Sequence, residues 1–346
     1  MKSLLSALFW VLLPVSSFAQ LGGENAFRFL TTTSSARVAA SGGFGFANPS
    51  NDLHFALMNP AHLRPDLSGQ LGLSFATLPA GIRFAEGGYV QDFGKVGTFS
   101  TMMKYIGYGD IVRANALAQT NGVFFAGEYL LQFGYGYRLD TNWQFGANLK
   151  LINATYAEYS SWALATDLAV NYQIPRSNWA FSLLLRNVGL QLTTFDAQRE
   201  DLPLQLDLSI YKKLAKAPLA WYVTFENLQK FDLYYDDPNS VEVDPITGEE
   251  RTVEPSVANK VLRHVVLGGE VFLGKSVNIQ VGYRFRRQFE MNMPTRRTSS
   301  GFTFGFGFKI SKFRLNYANT NMNVSGRMHS FSIVTSLDEF SRNKKD

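Results

Sequence analysis

The chain has 346 residues, with 14% aromatic and 18% charged residues, 29 phenylalanines and 29 glycines. This length suits one or two soluble domains or a single transmembrane barrel, and the aromatic and glycine content favours a β protein. A net charge of only +5, with both signs interspersed, argues against nucleic-acid binding, and the lack of cysteine excludes a disulfide scaffold.

The first twenty residues, MKSLLSALFWVLLPVSSFAQ, have the three-part pattern of a secretory signal peptide. Lys2 precedes an apolar run over residues 4–15, and Ser17-Phe18-Ala19 forms a small-x-small cleavage site before Gln20. We therefore predict a signal peptide over residues 1–19 and export of the rest. No later run reaches the about eighteen apolar residues of a spanning helix, so a closed β-barrel is the remaining way to cross a membrane.

Residues 20–66 show little two-residue periodicity and are predicted to form an N-terminal plug, or hatch. Residues 34–40 indicate a short capped helix before the Gly42-Gly43 break, and residues 53–57 indicate a helical turn that ends before Asn59-Pro60. Arg37, Asn59 and Pro60 are the candidate plug residues.

The segment WQFGANLKL, residues 143–151, shows the pattern of the remaining chain. Apolar residues alternate with small or polar ones, so one face is apolar and the other is not. A period of two predicts a β-strand. In a soluble sandwich the apolar face would point to a core, whereas in an outer-membrane barrel it would point to lipid.

Similar segments predict about fourteen strands within a barrel region over residues 67–337, followed by a polar tail at 338–346. The predicted strands are 67–78, 81–92, 97–108, 123–137, 142–156, 162–172, 179–190, 204–213, 219–231, 262–273, 277–289, 301–310, 313–319 and 328–337. An even number is typical of single-chain bacterial barrels.

The linkers between these strands alternate in length. Short linkers are predicted at 93–95, 139–141, 175–177, 216–218, 274–276 and 311–312, and mostly longer ones between them at 109–122, 191–203, 232–261, 288–300 and 320–327. Short turns at one end and long loops at the other are typical of outer-membrane barrels. The predicted fold is therefore all-β, an antiparallel transmembrane barrel with an N-terminal plug in the bacterial outer membrane.

Aromatic and charged residues fit this orientation. Trp143, Trp179 and Trp221 follow short turns on the apolar parity and are expected to form an aromatic belt. An outer belt is expected from Tyr105, Tyr108, Tyr156, Tyr159, Tyr234 and Tyr235. Charged residues of the opposite parity are expected to face the lumen, because ionised groups facing lipid are costly: Arg83, Lys104, Lys150, Asp167, Arg186, Asp207, Glu226, Glu270, Arg284, Lys309 and Arg314.

The sequence shows no catalytic or metal-binding pattern. His54, His62, His264 and His329 lack metal-ligand spacing, and no serine lies in a G-x-S-x-G motif. We therefore expect no enzymatic activity, no catalytic residue, no cofactor and no metal.

Two long loops are candidates for partner binding. The longest loop carries the candidate contacts Tyr234, Asp236, Asp237, Glu242, Asp244, Glu249, Glu250 and Glu254. The next long loop carries Arg286, Arg287, Arg296 and Arg297, whose guanidinium groups suit lipopolysaccharide phosphates or an acidic partner. Alternatively, both are solvated loops that partly neutralise each other across the rim.

The residues 22–43, GGENAFRFLTTTSSARVAASGG, followed by Asn59-Pro60-Ala61, resemble the N-terminal region of the PorQ family of the Bacteroidetes type IX secretion system. The stretches NLKLINATYAEYSSWALATDLAVNY, LLLRNVGLQLTTF and ENLQKFDL are similar to the same family. Ser41 stands where the family pattern has a leucine. The related PorV proteins and the FadL fatty-acid transporters share the barrel and an N-P-A-like plug element.

This resemblance implies a non-enzymatic outer-membrane anchor for a surface protein similar to PorZ. The attachment complex would also contain PorU and PorV-like components, and it removes cargo sorting domains and links the cargo to anionic lipopolysaccharide. Two alternatives remain. One is a FadL-like transporter of hydrophobic solutes with a pocket lined by Phe27, Phe29, Phe44 and Phe46, and the other is a PorV-like shuttle that binds cargo C-terminal sorting domains.

Overall fold

The computed structural model describes residues 25–341, except for residues 116, 118 and 197 and the segments 235–240, 244–249, 253–255, 292–298 and 324–325. Only the backbone is described for residues 241–243, 250–252 and 341. The predicted signal peptide at 1–19 and residues 342–346 of the predicted tail lie outside the described residues.

The described chain forms strands, five short α-helices and several single 3₁₀ turns. The strands are β1 Gln70–Thr77, β2 Arg83–Asp92, β3 Thr98–Gly107, β4 Ile111–Ala114, β5 Thr120–Phe124, β6 Ala126–Arg138, β7 Trp143–Tyr156, β8 Tyr159–Ile174, β9 Trp179–Thr193, β10 Gln205–Lys213, β11 Leu219–Phe225, β12 Val241–Val243, β13 Glu250–Thr252, β14 Val265–Leu273, β15 Val277–Arg284, β16 Phe302–Ile310, β17 Phe313–Asn323 and β18 Gly326–Ser336. The helices are α1 Ala36–Ala40, α2 Leu53–Met58, α3 Val257–Leu262, α4 Phe285–Glu290 and α5 Asp338–Ser341. None of the described helices is long and apolar enough to cross a membrane.

Fourteen of the described strands form a closed antiparallel barrel. Neighbours in sequence are neighbours in the wall, and β1 pairs with β18 from Gln70 opposite Ser336 to Thr77 opposite His329. The two remaining pairs, β4–β5 and β12–β13, are hairpins outside the wall. The predicted fold class and all fourteen predicted wall strands are confirmed, with ends that shift by several residues.

Strand β7 shows how the residue pattern forms the wall. Trp143 and Leu149 point outward and are 41% and 52% exposed, whereas Asn148 and Lys150 point inward and are buried. The exposed side is the one that lipid would cover in a barrel of this kind.

Two predicted strands end earlier than expected. Strand β11 ends at Phe225, because Asn227 adopts a left-handed conformation with φ 56° and turns the chain after one further bond, from the Glu226 amide to the His264 carbonyl (2.7 Å). Strand β15 stops at Arg284, because the predicted residues 285–289 belong to helix α4.

Most of the predicted inward charges are buried in the lumen, including Lys104, Lys150, Arg186 and Glu270. The prediction is wrong for Arg83, which is exposed on the outward parity of β2 where that strand begins. Lys309 has the inward parity of β16 but is exposed near the end of that strand.

The aromatic belts are partly as predicted. Trp143, Trp179 and Trp221 lie on outward parity beside short turns, and the rings of Trp179 and Trp221 are 5.5 Å apart. The outer belt is wrong for Tyr108 and Tyr156, since Tyr108 donates a hydrogen bond to the buried Glu128 carboxylate and both rings pack on the inner cluster. Tyr235 lies outside the described residues.

The two ends of the barrel differ in their connections. At one end, linkers of two to five residues join β2 to β3, β6 to β7, β8 to β9, β10 to β11, β14 to β15 and β16 to β17. At the other end lie both hairpins, helices α3 and α4 and the 194–204 segment. We call this second end the outer rim.

Candidate functional site

The segment from Ala26 to Leu67 packs against the inward faces of the wall strands. The hydroxyl of Ser35 caps helix α1 by accepting from the amide of Val38 (3.4 Å). The amide of Ala36 donates to the hydroxyl of Ser332 on β18 (2.8 Å). Ser41, at the position where a leucine was expected, donates from its hydroxyl to the Val38 carbonyl (2.7 Å), so a polar side chain closes this turn.

Arg37 fixes α1 to the wall through buried charges. Its Nη2 lies 2.7 Å from Oε1 of Glu270 on β14, and its Nε lies 3.6 Å from Oδ2 of Asp52 at the start of α2. The guanidinium also lies over the Phe55 ring, 5.6 Å from its centroid. Loss of one partner from a buried ion pair destabilises a protein by about 3–5 kcal/mol, because the other charge is left uncompensated.

Asn59 connects the plug to two wall strands. Its Nδ2 contacts the Phe46 carbonyl (2.8 Å), Oδ1 of Asn171 on β8 (3.0 Å) and Oγ of Ser182 on β9 (2.8 Å). Its Oδ1 accepts from the amide of Ala61 (3.1 Å), which caps the 3₁₀ turn that begins with Pro60. The predicted plug residues Arg37, Asn59 and Pro60 therefore all lie at the contact between plug and wall.

His62 stabilises the same contact as a neutral ring. Burial, with the nearby guanidinium of Arg64, lowers the pKa of His62 to about 3. Asn171 Nδ2 donates to Nδ1 (3.1 Å), which leaves the proton on Nε2 for the Phe46 carbonyl at 2.5 Å.

The wall approaches the plug closely where it carries glycine. A Cβ added at Gly146 of β7 would lie 2.2 Å from the carbonyl carbon of Pro60, and one at Gly282 of β15 would lie 2.5 Å from the amide nitrogen of Gly42. Real Cβ atoms do not approach that closely, so the backbones of plug and wall are in direct contact there.

Within the wall, inward charges pair across neighbouring strands. Lys150 lies 2.7 Å from Asp167, Arg186 lies 3.2 Å from Asp207, and both pairs are buried. Lys104 donates instead to the plug, with its Nζ 3.0 Å from the Phe29 carbonyl and also bonded to the Thr32 carbonyl. The two ion pairs thus join neighbouring wall strands, and Lys104 joins the wall to the plug.

At the outer rim, the plug, α4 and the outer ends of β17 and β18 enclose a cavity of about 230 Å³. Arg284, Arg286 and Arg287 line it. Arg284 contacts the carboxylate of Glu226 with its Nε at 2.6 Å, and the Nε of Arg286 lies 2.6 Å from Glu290 one helical turn away. Among the described residues, Nη1 of Arg287 is buried without an acceptor. A buried polar group without a partner costs about 1–3 kcal/mol, and a charged one costs more.

The predicted rim contacts are only partly within the described residues. The ring of Tyr234 lies 5.3 Å from the guanidinium carbon of Arg263. Glu242 and Glu250 belong to the antiparallel pair β12–β13, whose side chains are not described. Outside the described residues lie Asp236, Asp237, Asp244, Glu249, Glu254, Arg296 and Arg297.

Two features of this rim were not predicted from the sequence. Arg284 was expected only in the lumen, although it shares a cavity with Arg286 and Arg287 because α4 follows β15 directly. No role was expected for Thr320, which reaches the same cavity from the outer end of β17. Helix α4 could have been predicted from its spacing, because Phe285 and Phe289, and likewise Arg286 and Glu290, are four residues apart.

The sequence matches no protein-family profile and no curated protein. Among the solved structures of similar architecture are two outer-membrane barrels. The toluene transporter TodX of Pseudomonas putida is 13% identical, with 87% of this chain and 96% of that chain covered and a TM-score of 0.50. A FadL homologue of Pseudomonas aeruginosa is 10% identical, with 88% and 98% covered and a TM-score of 0.51. At this identity the likeness shows the fold alone, which is that of the FadL-type outer-membrane β-barrels.

Proposed function

We propose that this protein lies in a bacterial outer membrane and anchors a partner protein at the cell surface without catalysing a reaction. The proposal rests on one observation, the difference between the filled lumen of the barrel and its elaborated outer rim. Its lumen is filled by a segment bonded to the wall, and the structure added to the barrel lies at the outer rim. Location in the outer membrane is supported by the FadL-type fold and by the apolar outer face of the strands.

The filled lumen favours an anchor over an open pore. Arg37 and Asn59 hold the plug by an ion pair and by hydrogen bonds to β8 and β9, and direct backbone contacts at Gly146 and Gly282 add to them. A pore through this lumen would require these contacts to break together.

The outer rim favours docking, because it offers a broad surface on one side of the membrane only. Helix α3 presents Val257, which is 71% exposed, and the hairpin β4–β5 presents Val123, which is 66% exposed. Single exposed apolar residues are common on any protein surface, so docking is favoured by the additional structure at this end rather than by these two side chains. The turns at the opposite end are too short to form such a surface.

The finer proposal follows the sequence resemblance to the PorQ family. It makes the partner a surface protein similar to PorZ, within an attachment complex that contains PorU and PorV-like components and links cargo to lipopolysaccharide. This part rests on the resemblance of residues 22–43 and 59–61, since the structural comparisons concern the fold.

A second candidate is passage of hydrophobic solutes, and the structural comparisons support it more directly than the first. The fold is shared with TodX, which is described as a toluene transporter, and a cavity lies between plug and rim. Of the four phenylalanines expected to line an apolar pocket, Phe27, Phe29 and Phe46 are buried in packed clusters, and Phe44 borders the cavity.

The test is co-purification of the tagged full-length protein from its native outer membranes in mild detergent. Proteins and lipids would be identified by mass spectrometry for the wild type, for a variant with residues 236–254 replaced by a glycine-serine linker, and for a control with residues 215–217, an exposed turn at the opposite end, replaced likewise. The anchor proposal expects one stoichiometric surface protein, lost only from the first variant. Equal recovery of that protein from all three would refute a role for the acidic loop.

Transport is measured in parallel, as uptake of radiolabelled toluene and oleate by cells that carry or lack the protein. The anchor proposal expects no difference between the two strains. Protein-dependent uptake without a co-purifying partner would establish the second candidate instead.

A further inference from the structure

The cavity at the outer rim combines structural elements that are distant in sequence. The plug contributes Phe44, helix α4 contributes Arg286 and Arg287, and strand β17 contributes Thr320. At about 230 Å³, the cavity is smaller than the roughly 300–1,000 Å³ of sites that enclose a whole drug-sized ligand. It suits a single functional group with a few neighbouring atoms.

Four arginines border the cavity, Arg28, Arg284, Arg286 and Arg287, and the last three differ in their ion pairs. Arg284 is paired with Glu226 and Arg286 with Glu290, so these two guanidinium groups are neutralised within the chain. Arg287 forms no ion pair with a described residue. Burial and the adjacent guanidinium of Arg284 lower the pKa of Arg287, which means that its positive charge is poorly compensated in the protein alone.

Two hydrogen-bond donors on the cavity lining lack acceptors. They are Nη1 of Arg287 and the hydroxyl of Thr320, and both are buried without a partner among the described residues. An oxyanion has several acceptor oxygens and can take hydrogen bonds from a guanidinium and a hydroxyl together. A neutral ligand could satisfy the hydroxyl but would leave the charge of Arg287 unbalanced.

We propose that this cavity binds a phosphate group, with Arg287 and Thr320 as its donors and Arg284 and Arg286 as flanking guanidinium groups. The geometry of the guanidinium fork matches phosphate oxygens, and Arg287 has no carboxylate partner among the described residues. Met291, Met322 and Met328 line the remaining space and would contact the carbon atoms next to the phosphate. The site does not depend on the anchoring proposal, because it lies wholly within this chain.

The phosphate group could come from free phosphate or from the phosphorylated sugar of an outer-membrane glycolipid. Isothermal titration calorimetry on the purified protein in a nonionic detergent would use inorganic phosphate, glucosamine 1-phosphate, glucosamine and acetate. We expect saturable one-site binding of the phosphorylated probes only. Equal affinity for phosphate and glucosamine 1-phosphate indicates free phosphate as the ligand, and at least tenfold tighter binding of the sugar phosphate indicates a glycolipid head group.

Matched variants test whether the cavity is the site. Arg287→Gln removes the charge and is expected to weaken binding about tenfold or more, while Thr320→Val should weaken it less, because charge-assisted hydrogen bonds are the stronger ones. Arg113→Gln removes an exposed rim arginine that pairs with Glu158 and should leave binding unchanged. Heat-modifiable migration on a gel verifies that each barrel is assembled.

Three results would overturn the proposal. The first is no saturable binding of either phosphorylated probe by assembled wild-type protein. The second is equal binding of glucosamine or acetate. The third is unchanged binding in both assembled cavity variants. If Arg287→Gln does not assemble, unchanged binding in assembled Thr320→Val is enough to overturn the proposal.

Discussion

The plug and the outer rim are additions to the same barrel, yet they relate to its wall in opposite ways. The plug directs its charged and amide groups at the wall, as Arg37 does to Glu270 and Asn59 does to Asn171. The rim differs in its ion pairs, because Arg37 has carboxylate partners at 2.7 and 3.6 Å, whereas Arg287 has none among the described residues. The difference fits a plug that is part of the folded structure and a rim that binds the ligand and the partner proposed above.

The largest effect is expected from Arg37→Met, which removes the charge but keeps much of the side-chain volume. Glu270 then remains buried without its counter-ion, and the barrel should lose about 3–5 kcal/mol of stability. The measurement is the temperature at which the folded band disappears in heat-modifiability gels. Adding Glu270→Leu should recover part of the loss, since it removes the uncompensated charge, and a double variant no better than the single one would argue against this pairing.

A somewhat smaller loss is expected from Gly146→Ala. The new methyl group would meet the backbone of Pro60 at 2.2 Å, so plug or wall has to move, at a cost of about 3 kcal/mol. Gly269→Ala is the matched control, because its nearest neighbour would be the Ala220 carbonyl at an ordinary 3.7 Å. If both variants unfolded at the wild-type temperature, the plug would not be in tight contact with β7.

At the rim, Arg113→Gln should change stability little. Arg113 and Glu158 form a 2.9 Å ion pair, but both side chains are about half exposed, and such pairs contribute about 0–1 kcal/mol. Thermal unfolding of Arg113→Gln and of Arg37→Met in the same detergent compares the stability that the rim and the plug contacts contribute. A loss equal to that of Arg37→Met would contradict the distinction between the two regions.

The smallest effect concerns pH at the rim. The Lys260 ammonium, 2.6 Å away, and the Tyr234 amide lower the pKa of Asp232. Because the folded pKa lies below the unfolded value of about 4, this contact contributes fully at neutral pH and is lost only as pH falls through the folded value. Hydrogen exchange over residues 256–264 should therefore be unchanged, after correction for intrinsic rates, from pH 7 to pH 5. Faster corrected exchange already at pH 5 would show that another group controls this segment.

The fold could be predicted from the sequence because a barrel strand alternates apolar with small or polar residues, with a period of two. Trp143, Leu149 and their neighbours show the outward face directly, and the alternating linker lengths give the orientation. Helix α4 was missed because a single helical turn of aromatic and charged residues also fits an extended strand. Tyr156 was misplaced because an aromatic residue near a strand end can face lipid or pack inward on Phe195, whose ring lies 5.2 Å away.

The candidate sites were harder to predict from the sequence. Arg286 and Arg287 were recognisable as a basic pair, and Asn59-Pro60 as a break in the chain. The partners of Asn59 are 112 and 123 residues away in sequence, and Thr320 and Arg287 border one cavity only because β17 and α4 reach the same rim. Such contacts depend on the closure of the barrel, which residue patterns do not specify in detail.

The central claim is that the outer rim, and not the opposite end, contacts a partner protein. The most direct measurement is photo-crosslinking in living cells with p-benzoylphenylalanine placed at Val257 on the rim or at Val96 in a short turn, which are 71% and 61% exposed. The account predicts one discrete protein adduct from position 257 and none from position 96. The absence of an adduct at position 257, or the same adduct from both positions, would contradict it.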